Sequence, residues 1–388
     1  MPELTPAPAH SITRAARAGA LLPRLAFALG VAFAGSVAFA QQETPPSSPA
    51  APDEAASVPS SQPGYSFVPL DYTPARGFRF GNSGLTIGGF STFELERPDQ
   101  DATELALDSV NFLVLYEPVD SLRFFGELEI GDVFSWESES DEVESDPNAF
   151  FERLYAEYDA SDALNFRFGK FQTPVGRWNL TPAEPFTWLA TGPAIVEEGF
   201  DEHTTGVALH GSFYPEKRVV SYWVYGQVID SFDEESDDDP IDRSAGGRLE
   251  YGDARGAWSF GASLLGSKKD GEWTATGGLD AKLRIGERLE LTSEALVSGG
   301  DIPGRDYWGA FVDAAYPLDQ LSPKLSKLYL VGRVEHFDLS GAEPVELIDF
   351  GLTWLPKEWL NLKAGYRAAI HDAGDLSDGV KLSFSVLF

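Results

Sequence analysis

The 388-residue sequence contains no cysteine. That excludes a disulfide scaffold, a thiolate metal site and a thiol nucleophile. Basic residues are scarce: 29 Lys and Arg stand against 61 Asp and Glu, for a formal net charge of −32. So acidic a chain is repelled by nucleic acid, whose phosphates need clustered Lys and Arg. Past the N-terminus there is no uncharged apolar run long enough for a membrane helix. A membrane β-barrel stays open, because its alternating strands cancel in an averaged hydropathy. What is plentiful suits a turn-rich β chain: 38 Gly, 26 Pro and 13% aromatic residues.

At the N-terminus Arg14, Arg17 and Arg24 precede the apolar stretch 25–34, and Ala38-Phe39-Ala40 follows. Positive flank, apolar centre and a small-x-small end describe a secretory signal peptide over residues 1–40, cleaved near Ala40. The next residues are rich in Pro, Ser and Ala, a composition unable to bury a core. Residues 41–77 are therefore expected to form a disordered periplasmic linker, with the folded domain at 78–388.

From residue 85 onward the dominant pattern has period two. Leu122, Phe124, Gly126, Leu128 and Ile130 alternate with Arg123, Phe125, Glu127 and Glu129, and the final stretch sets Val380, Leu382, Phe384, Val386 and Phe388 against Lys381, Ser383 and Ser385. Sixteen such segments can be traced: 85–96, 105–116, 122–131, 151–159, 163–170, 205–213, 218–228, 245–251, 257–265, 272–285, 289–297, 307–316, 327–337, 346–355, 360–370 and 379–388. Most approach the roughly 9–11 residues that a tilted strand needs to cross a bilayer. Short connections such as 117–121, 160–162 and 214–217 alternate with longer ones such as 132–150, 171–204 and 229–244. Tyr116, Tyr158, Phe213, Tyr251, Trp258, Tyr316, Trp354 and Phe388 fall at or near the short set, as an interfacial aromatic belt would. The fold class is all-β: a transmembrane antiparallel β-barrel of about sixteen strands, wide enough for an aqueous channel. The expected location is the outer membrane, with lipid and lipopolysaccharide as surroundings and small hydrophilic solutes as cargo.

Residues 168–213 carry a more specific pattern: GKFQTPVG at 169–176, then Arg177-Trp178-Asn179, a Pro-rich loop and TTGVALHG at 204–211. This stretch resembles the phosphate-selective porin O/P-like family. The C-terminal Phe388 with its alternating neighbours resembles the signal read by the barrel assembly machinery. The resemblance implies a sixteen-stranded porin, usually trimeric, whose long third extracellular loop folds inward. That loop would be 171–204, with Lys170, Arg177, Trp178, Glu184, Glu197, Glu198, Asp201 and Glu202 as constriction candidates. Phosphate selectivity would want a ladder of Arg and Lys there. Arg177 is the one basic residue within the loop, so a phosphate preference is not carried over.

Charges expected on the inner face balance. Arg123, Arg153, Arg167, Arg248, Lys282, Arg284, Arg333, Lys363, Arg367 and Lys381 face Glu127, Glu129, Glu157, Glu250, Asp280, Glu290, Glu294, Asp313, Glu335 and Asp349. The acidic excess falls in the long connections: Glu137, Glu139, Asp141, Glu142, Glu144 and Asp146 in one, and Asp230, Asp233, Glu234, Glu235, Asp237, Asp238, Asp239 and Asp242 in another. No calcium-loop spacing occurs there, and the loops read as solvated. The expectation is a water-filled pore of weak cation preference; the alternatives are a substrate-specific anion, phosphate or dicarboxylate channel and an outer-membrane hydrolase. For the last, His210 and Ser212 share a strand face, but nothing supplies an orienting group or an oxyanion hole. No catalytic residue, metal site or cofactor is expected.

Overall fold

The computed structural model describes residues 70–388, apart from 100–101, 141–142, 182, 198, 230–240, 287 and 371–377. The expected signal peptide, most of the expected linker and the acidic run 230–240 lie outside the described residues. Nineteen strands form one sheet. Three are short: Leu70–Thr73, Gly77–Phe80 and Val143–Glu144. The other sixteen close into an antiparallel barrel. In chain order they are β1 (Leu85–Pro98), β2 (Glu104–Val119), β3 (Leu122–Glu137), β4 (Asn148–Ser161), β5 (Leu164–Gln172), β6 (His203–Phe213), β7 (Arg218–Gln227) and β8 (Arg243–Asp253). There follow β9 (Trp258–Lys269), β10 (Glu272–Ile285), β11 (Leu289–Gly300), β12 (Tyr307–Pro317), β13 (Leu328–Leu339), β14 (Val345–Lys357), β15 (Leu360–Ala369) and β16 (Gly379–Leu387).

Burial is inverted relative to a protein folded in water. Along β14, Phe350, Leu352 and Trp354 are exposed, while Asp349 and Thr353 are buried. Along β16, Leu382 and Phe384 are exposed, and Ser383 and Ser385 are buried. Large exposed apolar side chains such as Phe168, Val224, Leu249, Phe350 and Phe384 stud the outer face, a surface that only lipid or another protein would cover. Lipid offers no hydrogen bonds, so the sheet must have no free edge. Closure comes from β16 pairing with β1, Gly379 opposite Pro98 through Leu387 opposite Phe90. The seam ends in two reciprocal backbone bonds, Phe388 N–H to Gly89 O at 2.9 Å and Gly89 N–H to Phe388 O at 2.8 Å.

The strand number matches the sequence reading; the long–short alternation of connections fails at 270–271 and at 318–327, and several boundaries differ. Strand β3 continues to Glu137 and β4 starts at Asn148, so the expected connection 132–150 shrinks, and Val143–Glu144 pairs with Ser135 and Trp136 within it. The expected connection 266–271 contracts to the two-residue turn Asp270-Gly271, both with positive φ (49° and 88°). That conformation is the hairpin turn matching strand twist, and Asp-Gly is its preferred sequence. The expected linker also ends too late: Leu70–Thr73 pairs with Gly77–Phe80, and Phe78 and Arg79 pair onto β1.

Among several register shifts, two displace acidic residues from the alternation. In the β1–β2 ladder Thr92 pairs with Ser109 and Phe93 with Leu107, leaving Asp108 as an extra residue. On β4, Arg153 pairs with Glu127 and Phe151 with Leu128, leaving Glu152 as an extra residue. Such bulges re-aim side chains that a strict period of two would assign to the other face.

Candidate functional site

The longest connection among the described residues joins β5 to β6 over 173–202. Its base is laced shut. Thr173 donates its N–H to Glu202 O (2.7 Å) and its hydroxyl to Asp201 O (2.8 Å). Asn179 Nδ2 donates to Thr173 O (2.8 Å) and Glu202 O (2.9 Å). From there the loop lies against the polar face of the strands that follow. Glu294 of β11 accepts the N–H groups of Arg177 (2.8 Å) and Trp178 (3.1 Å). Glu335 of β13 accepts Ile195 N–H at 2.8 Å. The Arg333 guanidinium, held by Asp313, donates to Thr191 O at 2.9 Å and lies over the Trp178 ring. Lys363 of β15, only 4% exposed, donates to Glu184 Oε1, Thr187 Oγ1 and Leu189 O at 2.8–3.1 Å. Arg367 donates to Gly192 O, and Ser383 of β16 to Glu184.

Apolar packing completes the docking. Val175, Ile195, Val196 and Phe200 of the loop share one buried cluster with Leu296, Tyr307, Phe311, Phe337 and Leu347 of the wall. Gly176 is required for this approach: its φ is +65°, and a Cβ there would stand 1.6 Å from Glu294 Oε1. Gly176→Ala is therefore expected to unseat the Glu294 anchor. The check is single-channel recording, in which the variant should give noisier open-state current than the parent.

Between the loop and the polar faces of β1, β2 and β16 a cavity of about 360 Å³ remains. Its charged lining is Glu94, Asp108, Glu184, Glu197, Glu202 and Lys381. Five carboxylates thus meet one ammonium, and that ammonium is 2.8 Å from Glu94.

The phosphate-selective porin O and P family model matches residues 123–335, more than half of the chain. The chain belongs to this porin family. It is an outer-membrane β-barrel channel for passive diffusion. Solved porins share the fold at low identity. Salmonella typhi OmpF, solved in complex with daunomycin, is 14% identical with a TM-score of 0.56, over 79% of this chain and 99% of that one. The anion-selective porin of Comamonas acidovorans is 13% identical with a TM-score of 0.53, over 78% and 99%. The Acinetobacter baumannii channel DcaP is 12% identical with a TM-score of 0.51, over 81% and 100%. No curated protein matches the chain.

The porin's sequence-derived candidates separate into two groups. Trp178, Glu184, Glu197 and Glu202 line the cavity. Arg177 does not: it is tied to Ser259 (2.7 Å), Glu250 (3.1 Å) and Asp280 (3.2 Å) on the wall. Asp201 pairs with Arg305 at 2.6 Å, and Lys170 is buried at 4% exposure. Glu198 lies outside the described residues. The expected inner-face cations each have a carboxylate within ion-pair distance. Arg123 and Arg167 share Glu157, Arg153 meets Glu127, and Arg248 meets Asp280 and Glu250. Lys282 and Arg284 share Glu290, and Arg367 meets Asp349 at 2.8 Å. Glu129 is half-buried on β3, beside Phe150 across the ladder. His210 Nε2 is 2.9 Å from Glu157 and Ser212 bonds Ser221, so the two do not form a nucleophile–base pair.

Three acids escaped the sequence reading. Glu94 follows the alternation, between Phe93 and Leu95, and was legible there. Asp108 and Glu152 sit at bulges, where period two fails.

Proposed function

We propose that this porin passes ions and small hydrophilic solutes with a weak preference for cations, loop 173–202 acting as its constriction. The observation that carries the reading is the cavity lining, with five carboxylates against one ammonium. Cations of the wall are neutralised by partners and cannot form the basic ladder that anion selection requires. A second acidic cavity, of about 400 Å³ and lined by Glu96, Glu104, Glu137 and Glu144, enriches cations further. Such fields reach about 8 Å at physiological salt, so the preference fades as salt rises.

Reversal potential in a planar bilayer under a KCl gradient tests this. The potential should have the sign of potassium preference and move toward zero in Asp108→Asn combined with Glu197→Gln. Chloride preference in the parent would refute the proposal. Residues 1–40 are proposed as the export signal, the acidic loops as neighbours of lipopolysaccharide, and Phe388 as the contact for the assembly machinery. A homotrimer is proposed on the likeness to Vibrio cholerae OmpT, solved in a trimer form, and predicts closure in three equal current steps.

A further inference from the structure

Apart from the wall ion pairs, one cluster among the described residues combines imidazole with carboxylates. Glu152 of β4, Glu202 at the end of the loop and His203 at the start of β6 each offer one donor atom, all within 4.8 Å of one another. His203 Nε2 stands 3.0 Å from Glu152 Oε1. His203 is 7% exposed, and Glu152 is brought beside it by the bulge on β4. Directly across the ladder from His203 is Gln172, also 7% exposed. Its Oε1 accepts from Arg153, while its Nε2 has no acceptor among the described residues. A buried amide donor without an acceptor is costly, and a water or hydroxide on an ion held by the three neighbours would satisfy it.

We propose that Glu152, Glu202 and His203 bind one first-row divalent cation, with water completing the shell. The donor set selects the class. Calcium and magnesium take oxygen ligands and usually six or more. Imidazole with two carboxylates suits zinc, cobalt or nickel. Zinc–ligand bonds of about 2.0–2.2 Å require the donors to draw together, and Glu202 is the exposed member of the three. The ion would clasp the base of the loop to β4. Lys170, two residues before Gln172 on the same face of β5, opposes it with its own charge. Because Glu202 also lines the constriction, the bound ion adds positive charge there and lowers cation current; this second effect rests on the proposed pore.

Zinc chloride titrated calorimetrically into the full-length barrel in detergent tests the site without reference to conduction. One zinc per chain is expected, with affinity lower by at least tenfold in His203→Ala and in Glu152→Gln. Affinity should rise in Lys170→Met. Zinc binding that is absent, or unchanged in His203→Ala, would overturn the proposal. The same zinc concentration should reduce potassium current through the parent channel and spare His203→Ala. Binding without that reduction counts against the constriction and leaves the metal site standing.

Discussion

Alanine at both Glu294 and Glu335 should release the loop from the wall. Each carboxylate accepts main-chain N–H groups of the loop, Arg177 and Trp178 for one and Ile195 for the other. Hydrogen bonds to charged acceptors contribute about 1.5–3 kcal/mol each. Losing both sets removes the polar fastening at two separate points, while the apolar cluster around Phe311 and Leu347 remains. Single channels should then show larger and noisier conductance with selectivity moved toward unity. Quiet channels of parental conductance would mean that the apolar cluster and the remaining ties of Arg333, Lys363 and Arg367 suffice to hold the loop.

Methionine in place of Arg333 should produce the largest loss of stability. The guanidinium is 1% exposed, binds both oxygens of Asp313 (2.6 and 3.0 Å) and lies over the rings of Trp178 and Phe311. Removing it leaves Asp313 buried without its counter-charge. Breaking a buried pair in this way costs about 3–5 kcal/mol. The midpoint of denaturant unfolding in detergent should fall accordingly. Adding Asp313→Leu should recover most of the loss, because the penalty belongs to the stranded carboxylate rather than to the missing bond.

Which parts of this were visible in sequence follows from the range of the interactions. Alternation is a local property, so β3 and β16 could be traced from Leu122 to Ile130 and from Val380 to Phe388. Docking of the loop is not local. Arg177 meets Glu294, 117 residues away, and Ser383 meets Glu184, 199 away. No spacing announces such pairs, and Arg177, the one basic residue of the loop, looked like a constriction charge although the wall claims it. Asp108 and Glu152 were hidden for another reason: each is the extra residue of a bulge, and a pattern of two assigns an extra residue to the wrong face.

The seam between the first and last strands has a consequence for biogenesis. Thr92 of β1 and Ser385 of β16 share a hydrogen bond across 293 residues. No cylinder exists until β16 has been made and has met β1. Loop-closure entropy makes so distant a pairing slow, and an unmatched strand edge recruits other chains. Until this seam is sealed both strand edges stay open to other chains, and a chain lacking β16 cannot seal it.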